Sequence, residues 1–485
     1  MRGVIKKPIA LCHGAAPFVV SAPWKPLSCS PVISGTRSKR EFLIMRIESV
    51  TLKNFPPFTD ATIPFPERSD QNQGGEVHLL TGQNGSGKTR LLCLLAAACG
   101  DSTEITARTQ GHTAWQAVVV GCQDSFGAIW ANHHRTTLWY SEKIGSQVVE
   151  QLLSLNKLPK NQFGQTDSLI NYRSMAPLDQ APPTRAFAFR GMARVSDAKI
   201  SAMNPVKFEN PSQDLLFEPS AGQDLVIGQS MANIKMSAAM EALNRTNGKL
   251  TRAMRMAQRL ESAISKITNR DFKFSVAPNP QVHLKVYWDG VAMWLRQLPD
   301  GLRSIIGWLV ACVAKLDAIY PEHEDPLSLP LILLLDEPES HLHPAWQRKV
   351  LPAAQAMFPQ AQIFVATHSP FVISSVNDGW IHIFRANDEG VVTVDQPRPC
   401  SRGDTFLDVI EDILGVKEWY DPESEDLLTK FRDTRDAALA GQVEKEPELV
   451  QQAQAIAQRS DSLSDLMARE MRQFERQKAQ AATGS

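Results

Sequence analysis

Two adjacent carboxylates, Asp336 and Glu337, follow an apolar run in the stretch LILLLDEPESHLHP, residues 331–344. A short, fully apolar run of this kind reads as a strand buried in a parallel sheet, and the carboxyl ends of such strands are where α/β proteins hold ligands. At that position Asp336 can ligate a divalent cation, and Glu337 can polarise an attacking water as a general base. Far upstream the chain reads Gly82, Gln83, Asn84, Gly85, Ser86, Gly87, Lys88, Thr89. The glycines let successive backbone N–H groups turn inward toward phosphate oxygens, at the positive end of the helix that follows. Lys88 is placed to reach the β- and γ-phosphates, and the Thr89 hydroxyl to ligate Mg²⁺. Together the two stretches predict a site for ATP and Mg²⁺. Its metal ligands are Thr89 and Asp336, and its catalytic groups Glu337 and Lys88. Taken alone, the carboxylates read equally as caps of the next helix, and Glu339 is expected to do only that.

Thr367, His368 and Ser369 follow the next apolar strand, which puts His368 at the same rim. It can donate a hydrogen bond to a γ-phosphate or to the water, and joins the catalytic set. His341 and His343 have metal-like spacing, but they fall at a loop-to-helix junction without a third ligand, so packing or a dimer contact is the expected role. Leu298, Pro299, Asp300 and Gly301 form a turn before a long apolar helix. A helix N-terminus there can present N–H groups to a phosphate held by a second subunit.

These groups need a sheet to carry them. The 485 residues, 43% apolar with net charge −1, suffice for two or three domains and call for neither nucleic acid nor an anionic membrane. The seven scattered cysteines form no CxxC, which points to a reducing cytoplasm. No apolar run approaches the ~20 residues that span a bilayer, so no membrane is expected. Residues 1–44 carry seven Lys/Arg against one acid and five prolines, and read as a disordered or over-extended N-terminal segment. A strand pair opens the unit at Met45, and residues 76–80 form the buried strand that feeds the glycine loop. Short β-type runs follow within residues 101–142, and AFAFRGMAR at 186–194 reads as a strand ending in a basic turn. Residues 230–267 show helical periodicity with a break at Asn247-Gly248, and Asp289-Gly290 is a hairpin turn. The expected division is 1–44 extension, 45–229 N-terminal lobe, 230–268 helical insert, 269–400 C-terminal lobe, and 401–485 helical partner-docking region.

In this order, the glycine loop, the pre-helical turn, LLLDEPE and Thr367-His368-Ser369 resemble an ABC-type ATPase head. The opening MRIESVTLKNFPPFTDATIPF is similar to the branch that includes SMC, RecF and OLD proteins. The resemblance implies an α/β ABC-type P-loop NTPase head, a mixed sheet with flanking helices, a small helical insert and a helical C-terminal tail. It makes residues 82–89 the Walker A loop, Asp336 and Glu337 the Walker B acids, and His368 the switch histidine. Leu298, Asp300 and Gly301 become the signature, which closes the nucleotide site of a second copy in an ATP-sandwiched homodimer. Where the family signature begins Leu-Ser-Gly-Gly, this chain has Pro299, with neither hydroxyl nor N–H, so slow turnover is expected. No zinc or HNH constellation appears. The size, short insert and helical tail resemble the stand-alone PtuA-type ATPases of Septu and retron-associated anti-phage systems, which imply a separate HNH nuclease partner. Two other readings stand beside it: a RecF-like repair ATPase that binds DNA directly, and a hydrolysis-poor scaffold. Arg190, Arg194, Lys249, Arg252 and Arg255 are the candidate nucleic-acid contacts, and read equally as an ordinary solvated face.

Overall fold

The computed structural model describes residues 46–68, 74–99, 108, 115–122, 126–131, 134–139, 186–190, 223–243, 250–277, 283–400, 405–416 and 418–483. The extension 1–44, Arg194, Asn247, Gly248 and Lys249 lie outside the described residues. Strands β1 (Arg46–Lys53) and β2 (Asp60–Pro64) pair antiparallel, Thr51 facing Thr62. β3 (Glu76–Gly82) leads through the glycine loop into helix α1 (Lys88–Cys99). β4 (Gln116–Cys122), β5 (Phe126–Ala131) and β6 (His134–Trp139) complete an antiparallel sheet in the order β2-β1-β4-β5-β6.

β7 (Ala186–Arg190) precedes two helices, α2 (Gln223–Leu243) and α3 (Arg252–Thr268). A three-stranded meander follows, β8 (Phe272–Ala277), β9 (His283–Trp288) and β10 (Val291–Trp294). Its last turn is Asp289-Gly290, both residues at positive φ, 50° and 78°, as a tight hairpin requires. Then come α4 (Asp300–Ile319), β11 (Leu331–Asp336), α5 (Pro344–Met357), β12 (Ala361–Ala366), α6 (Pro370–Ile373), β13 (Trp380–Ala386) and β14 (Val392–Val394). The central sheet runs β14-β13-β3-β12-β11-β7, parallel except for β14 and for a two-residue strand, Arg398–Pro399, that also pairs antiparallel with β13.

The central strands are apolar on both sides because the sheet is covered on both sides. Successive side chains alternate between faces. Leu333, Leu335, Ile363, Val365, Val77 and Leu79 enter one core; Ile332, Leu334, Phe364, Ala366 and Leu80 enter the other. Each such side chain contributes roughly 1.5–3 kcal/mol by leaving water. Residues of α2 to α5 line the first core, and α1 with β1 and β4 the second.

The helical pair differs from the expected stubby hairpin. It starts at Gln223, ahead of residue 230, and sends Met231, Ala232, Met256, Leu260, Ile264 and Ile267 into the first core. The three-and-four spacing on α3 makes that apolar stripe. Among the described residues of the pair, Met240, Leu243 and Leu250 at its far end are the exposed large apolar side chains. At the C-terminal side α7 (Pro422–Leu439), α8 (Glu446–Ala457) and α9 (Asp461–Thr483) share a separate core of Leu428, Phe431, Leu449, Ile456, Met467 and Phe474. Among the described residues no helix is long and apolar enough to cross a membrane.

A polar cluster at the first residues of β3 fastens the two sheets. Arg46 Nη2 donates to Glu76 Oε1 at 2.8 Å and to the Phe65 carbonyl at 2.8 Å. His78 Nε2 meets the same Glu76 oxygen at 2.6 Å, and its Nδ1 lies 3.1 Å from His382 Nε2. The Gln362 side chain exchanges hydrogen bonds with the Ile47 backbone, 2.8 and 2.9 Å. Burial would raise the Glu76 carboxyl, but the His78 hydrogen bond and the Arg46 guanidinium outweigh it and hold it at about 2. Burial depresses both imidazoles, His382 well below the ordinary 6.5.

All three groups are therefore depressed in the folded state. Their contribution is present above their ordinary pKa values and lost as pH falls through the folded ones. The share of stability in urea that the two histidines supply is expected to be flat above pH 7 and to decline below 6.5, where the unfolded histidines protonate. The decline should steepen below 4.5, the ordinary Glu76 value, with about 3 kcal/mol at stake from that carboxylate. Glu76→Gln should lack the second decline. A stability difference between wild type and Glu76→Gln that stays constant from pH 6 to pH 3 would refute this.

Candidate active site

The loop between β3 and α1 is shaped by Gly87. Its φ is +90°, and a Cβ there would sit 2.8 Å from Pro57 Cδ and from the Phe58 ring. Only glycine meets both conditions. Lys88, the first residue of α1, turns back along the loop and donates to the carbonyls of Gly82 (2.9 Å) and Gln83 (2.8 Å) and to Ser86 Oγ (3.1 Å). Burial lowers the Lys88 ammonium to about 8, against the upward pull of Glu337 and Asp336. Gln83, Asn84 and Gly85 are exposed at the rim, and Ser86 is buried beneath them.

β11 delivers Asp336 beside this loop. Thr89 Oγ1 donates to Asp336 Oδ1 at 2.9 Å, and Arg190 Nε donates to Asp336 Oδ2 at 3.0 Å. Arg190 ends β7 in register with Asp336, so adjacent strands bring the two charges together. The Thr89 hydroxyl and the Asp336 carboxylate are hard oxygen donors side by side on a cavity wall, which suits Mg²⁺. Glu337 leaves the strand at a φ of 50° and its N–H donates to the Ala366 carbonyl at 2.8 Å. Its exposed side chain has Ser340 Oγ at 3.4 Å. His368 follows β12; burial and Lys88 lower its imidazole, opposed by Glu337 and Asp336. It is therefore a neutral ring at neutral pH, able to donate one N–H.

Lys88, Thr89, Asp336, Glu337 and His368 line one cavity of about 300 Å³, with Asn84, Gly85 and Gly87 on its rim. Of the predicted Walker residues, Asn84, Gly85, Gly87, Lys88, Thr89, Asp336 and Glu337 line this cavity with His368, and Gly82, Gln83 and Ser86 do not. Leu298, Asp300 and Gly301 do not line it either. Leu298 is buried in the first core, and Asp300 is exposed and pairs with Arg303. Gly301 lies in the first turn of α4, where a Cβ would meet the His341 carbonyl at 2.6 Å. That approach packs the start of α4 against the loop that follows Glu337.

Several expectations are corrected. Arg190, read as a candidate nucleic-acid contact, is the ion-pair partner of Asp336. Arg252 is spent on Asp317 and on the carbonyls of His323 and Tyr320, and Arg255 on Glu324. His343 caps α5 by accepting from Ala345 N–H, and His341 contributes its backbone at positive φ. Among the described residues no group of three His, Cys, Asp or Glu side chains could hold a metal ion. Glu339 does not cap the next helix: it is 7% exposed and accepts from the Thr367 hydroxyl. A carboxylate two residues past Glu337 in the same turn was the only signal for it.

Residues 147–374 match a family described as "AAA domain, putative AbiEii toxin, Type IV TA system", and residues 49–127 match one described as "AAA domain". The chain is 26% identical over 155 residues to the Retron Vc95 probable ATPase of Vibrio cholerae serotype O1 biovar El Tor, covering 32% of this chain and 30% of that protein. It is 29% identical over 108 residues to the Septu protein PtuA of Bacillus thuringiensis, covering 22% of this chain and 27% of that one. The matches thus span less than a third of the length of either relative. A solved SMC head bound to the C-winged helix domain of ScpA overlays with a TM-score of 0.40 and 12% identity, over 73% of this chain and 98% of that one. So loose an overlay adds nothing to the geometry of the site.

Proposed function

We infer, from the premise that this chain carries an AAA-family ATPase domain of ABC type with relatives among the Septu and retron ATPases, that it binds and slowly hydrolyses ATP to govern a partner. The observation that carries this reading is the 2.9 Å contact between Thr89 Oγ1 and Asp336 Oδ1, with Glu337 and His368 on the same cavity. In this reading Lys88 balances charge at the β- and γ-phosphates. Glu337 accepts the proton of the attacking water, and the neutral His368 donates to a γ-phosphate oxygen. Mg²⁺, when held by Thr89 and Asp336, neutralises charge on the phosphate oxygens. Arg190 fixes the Asp336 carboxylate so that one oxygen faces Thr89.

Leu298, Asp300 and Gly301 presented by a second copy complete the site, because the N-terminus of α4 is a ready anion-binding end. Pro299 removes the hydroxyl and the N–H that would touch the γ-phosphate, so ATP is held longer than it is turned over. In the cytoplasm such a switch restrains or delivers a separate nuclease of HNH type in anti-phage defence; the support here is the naming of the Septu and retron relatives. The repair reading loses ground because Arg190, Arg252 and Arg255 are engaged within the chain.

Sedimentation velocity tests the sandwich. The hydrolysis-blocked Glu337→Gln protein is expected to sediment as a dimer with MgATP and as a monomer with ADP. Monomers under saturating ATP at micromolar protein would rule out nucleotide-driven dimerisation.

A further inference from the structure

Where β12 ends, the ladder stops at Thr367, whose N–H donates to the Leu80 carbonyl at 3.1 Å. The next residue is His368, and what holds it comes from another segment. Glu339 lies in the turn after Asp336 and Glu337, anchored by the Leu342 N–H donating to its carbonyl at 2.9 Å. Its carboxyl Oε1 accepts from the Thr367 hydroxyl, and the backbone N–H of His368 hydrogen-bonds the same carboxyl. The Thr367 oxygen in turn accepts from the Ser369 N–H at 3.0 Å, which fixes the direction of its proton. Thr367 and the His368 backbone are thus tied to one carboxyl, and Ser369 is linked to it through the Thr367 oxygen. Glu339 Oε2 is buried with no hydrogen-bond partner.

A buried carboxyl with an idle oxygen is an expensive way to hold a loop. Burial pushes it up to about 7. A group that costs this much, two residues from the water-polarising Glu337, points to the chemistry rather than to packing.

We propose that Glu339 is a positioning residue that sets His368 against the γ-phosphate by holding Thr367 and the His368 backbone. The proposal rests on the ATPase reading and deepens it. Glu339 acts through the histidine and touches no substrate. Its turn continues into His341, whose carbonyl backs Gly301, so the histidine of one site and the α4 N-terminus offered to the other share a support.

The test compares Glu339→Ala, Glu339→Gln and Thr367→Val in the full chain. Gln keeps the Oε1 acceptor; Ala removes it; Val removes the hydroxyl while leaving Glu339 in place. Glu339→Ala is expected to lower kcat by about 10²-fold with KM nearly unchanged. Thr367→Val should go the same way, and Glu339→Gln should restore kcat to within a few-fold of wild type. Amide hydrogen exchange of residues 367–370, measured without nucleotide, should quicken in Glu339→Ala and not in Glu339→Gln. Unchanged exchange in Glu339→Ala, wild-type kcat in it, or equal losses in Ala and Gln each overturn the positioning role. Wild-type protein without any turnover overturns the ATPase reading instead, whatever the exchange shows.

Discussion

Glu337→Gln is expected to bind ATP as tightly as the wild-type chain and to hydrolyse it about 10²–10⁴-fold more slowly, the usual range for losing a general base. The substitution keeps shape and removes only the basic oxygen. The local fold should be kept, because the Glu337 side chain is exposed at the cavity and its hydrogen-bond partner, Ser340 Oγ at 3.4 Å, can also meet an amide. The backbone at φ 50° is held by the N–H bond to Ala366 and not by the carboxylate. Single-turnover phosphate release, with ATP affinity measured in parallel, separates binding from chemistry. Hydrolysis within threefold of wild type would remove Glu337 from the base role.

Lys88→Ala should instead abolish tight binding. The loss of a buried charge-assisted contact costs about 2–5 kcal/mol, so ATP affinity is expected to fall by at least ~30-fold. Dimerisation on ATP should fall with it. Lys88 also gives binding a pH dependence of definite sign. With the free ammonium lowered to about 8 by burial, the protein must take up a proton to bind phosphate above that pH. Affinity should be flat from pH 6.5 to 7.5 and fall above 8, by up to ~tenfold per unit. Lys88→Arg, cationic throughout, should bind weakly but without that slope. An affinity independent of pH up to 9.5 in the wild type would show that Lys88 does not hold the phosphates.

The parts of this site that could be read in advance are local. A glycine loop between a strand and a helix, and carboxylates ending an apolar run, carry their geometry within ten residues, and the structure puts Lys88, Thr89, Asp336, Glu337 and His368 on one cavity. What escaped depends on neighbours far apart in sequence. Arg190 pairs with Asp336 because β7 lies beside β11, and nothing in AFAFR says which strand it will join. Glu339 is buried because Thr367 comes back over it after a helix and a strand. The Arg46, Glu76, His78 and His382 cluster gathers residues from three strands, and each alone reads as a surface polar group. The helical pair reads as a small insert over 230–268 because its apolar stripe does not reveal which core it faces. The turn at 298–301 reads as the start of a helix, and nothing local to it says that it lies off this cavity.

The position of β3 in its sheet has a consequence for how the chain is made. Its partners on either side are β12 and β13, which begin at Ala361 and Trp380. While a ribosome synthesises the protein, the strand carrying the phosphate loop has no parallel neighbour until nearly 300 further residues have emerged, a wait of about 15–60 s at ordinary elongation rates. During that interval an apolar strand edge is open, and ATP has nothing assembled to stabilise. Nascent chains and C-terminal truncations ending before residue 386 therefore leave at least one edge of β3 incompletely paired. Nucleotide can reward only molecules whose synthesis has passed that point.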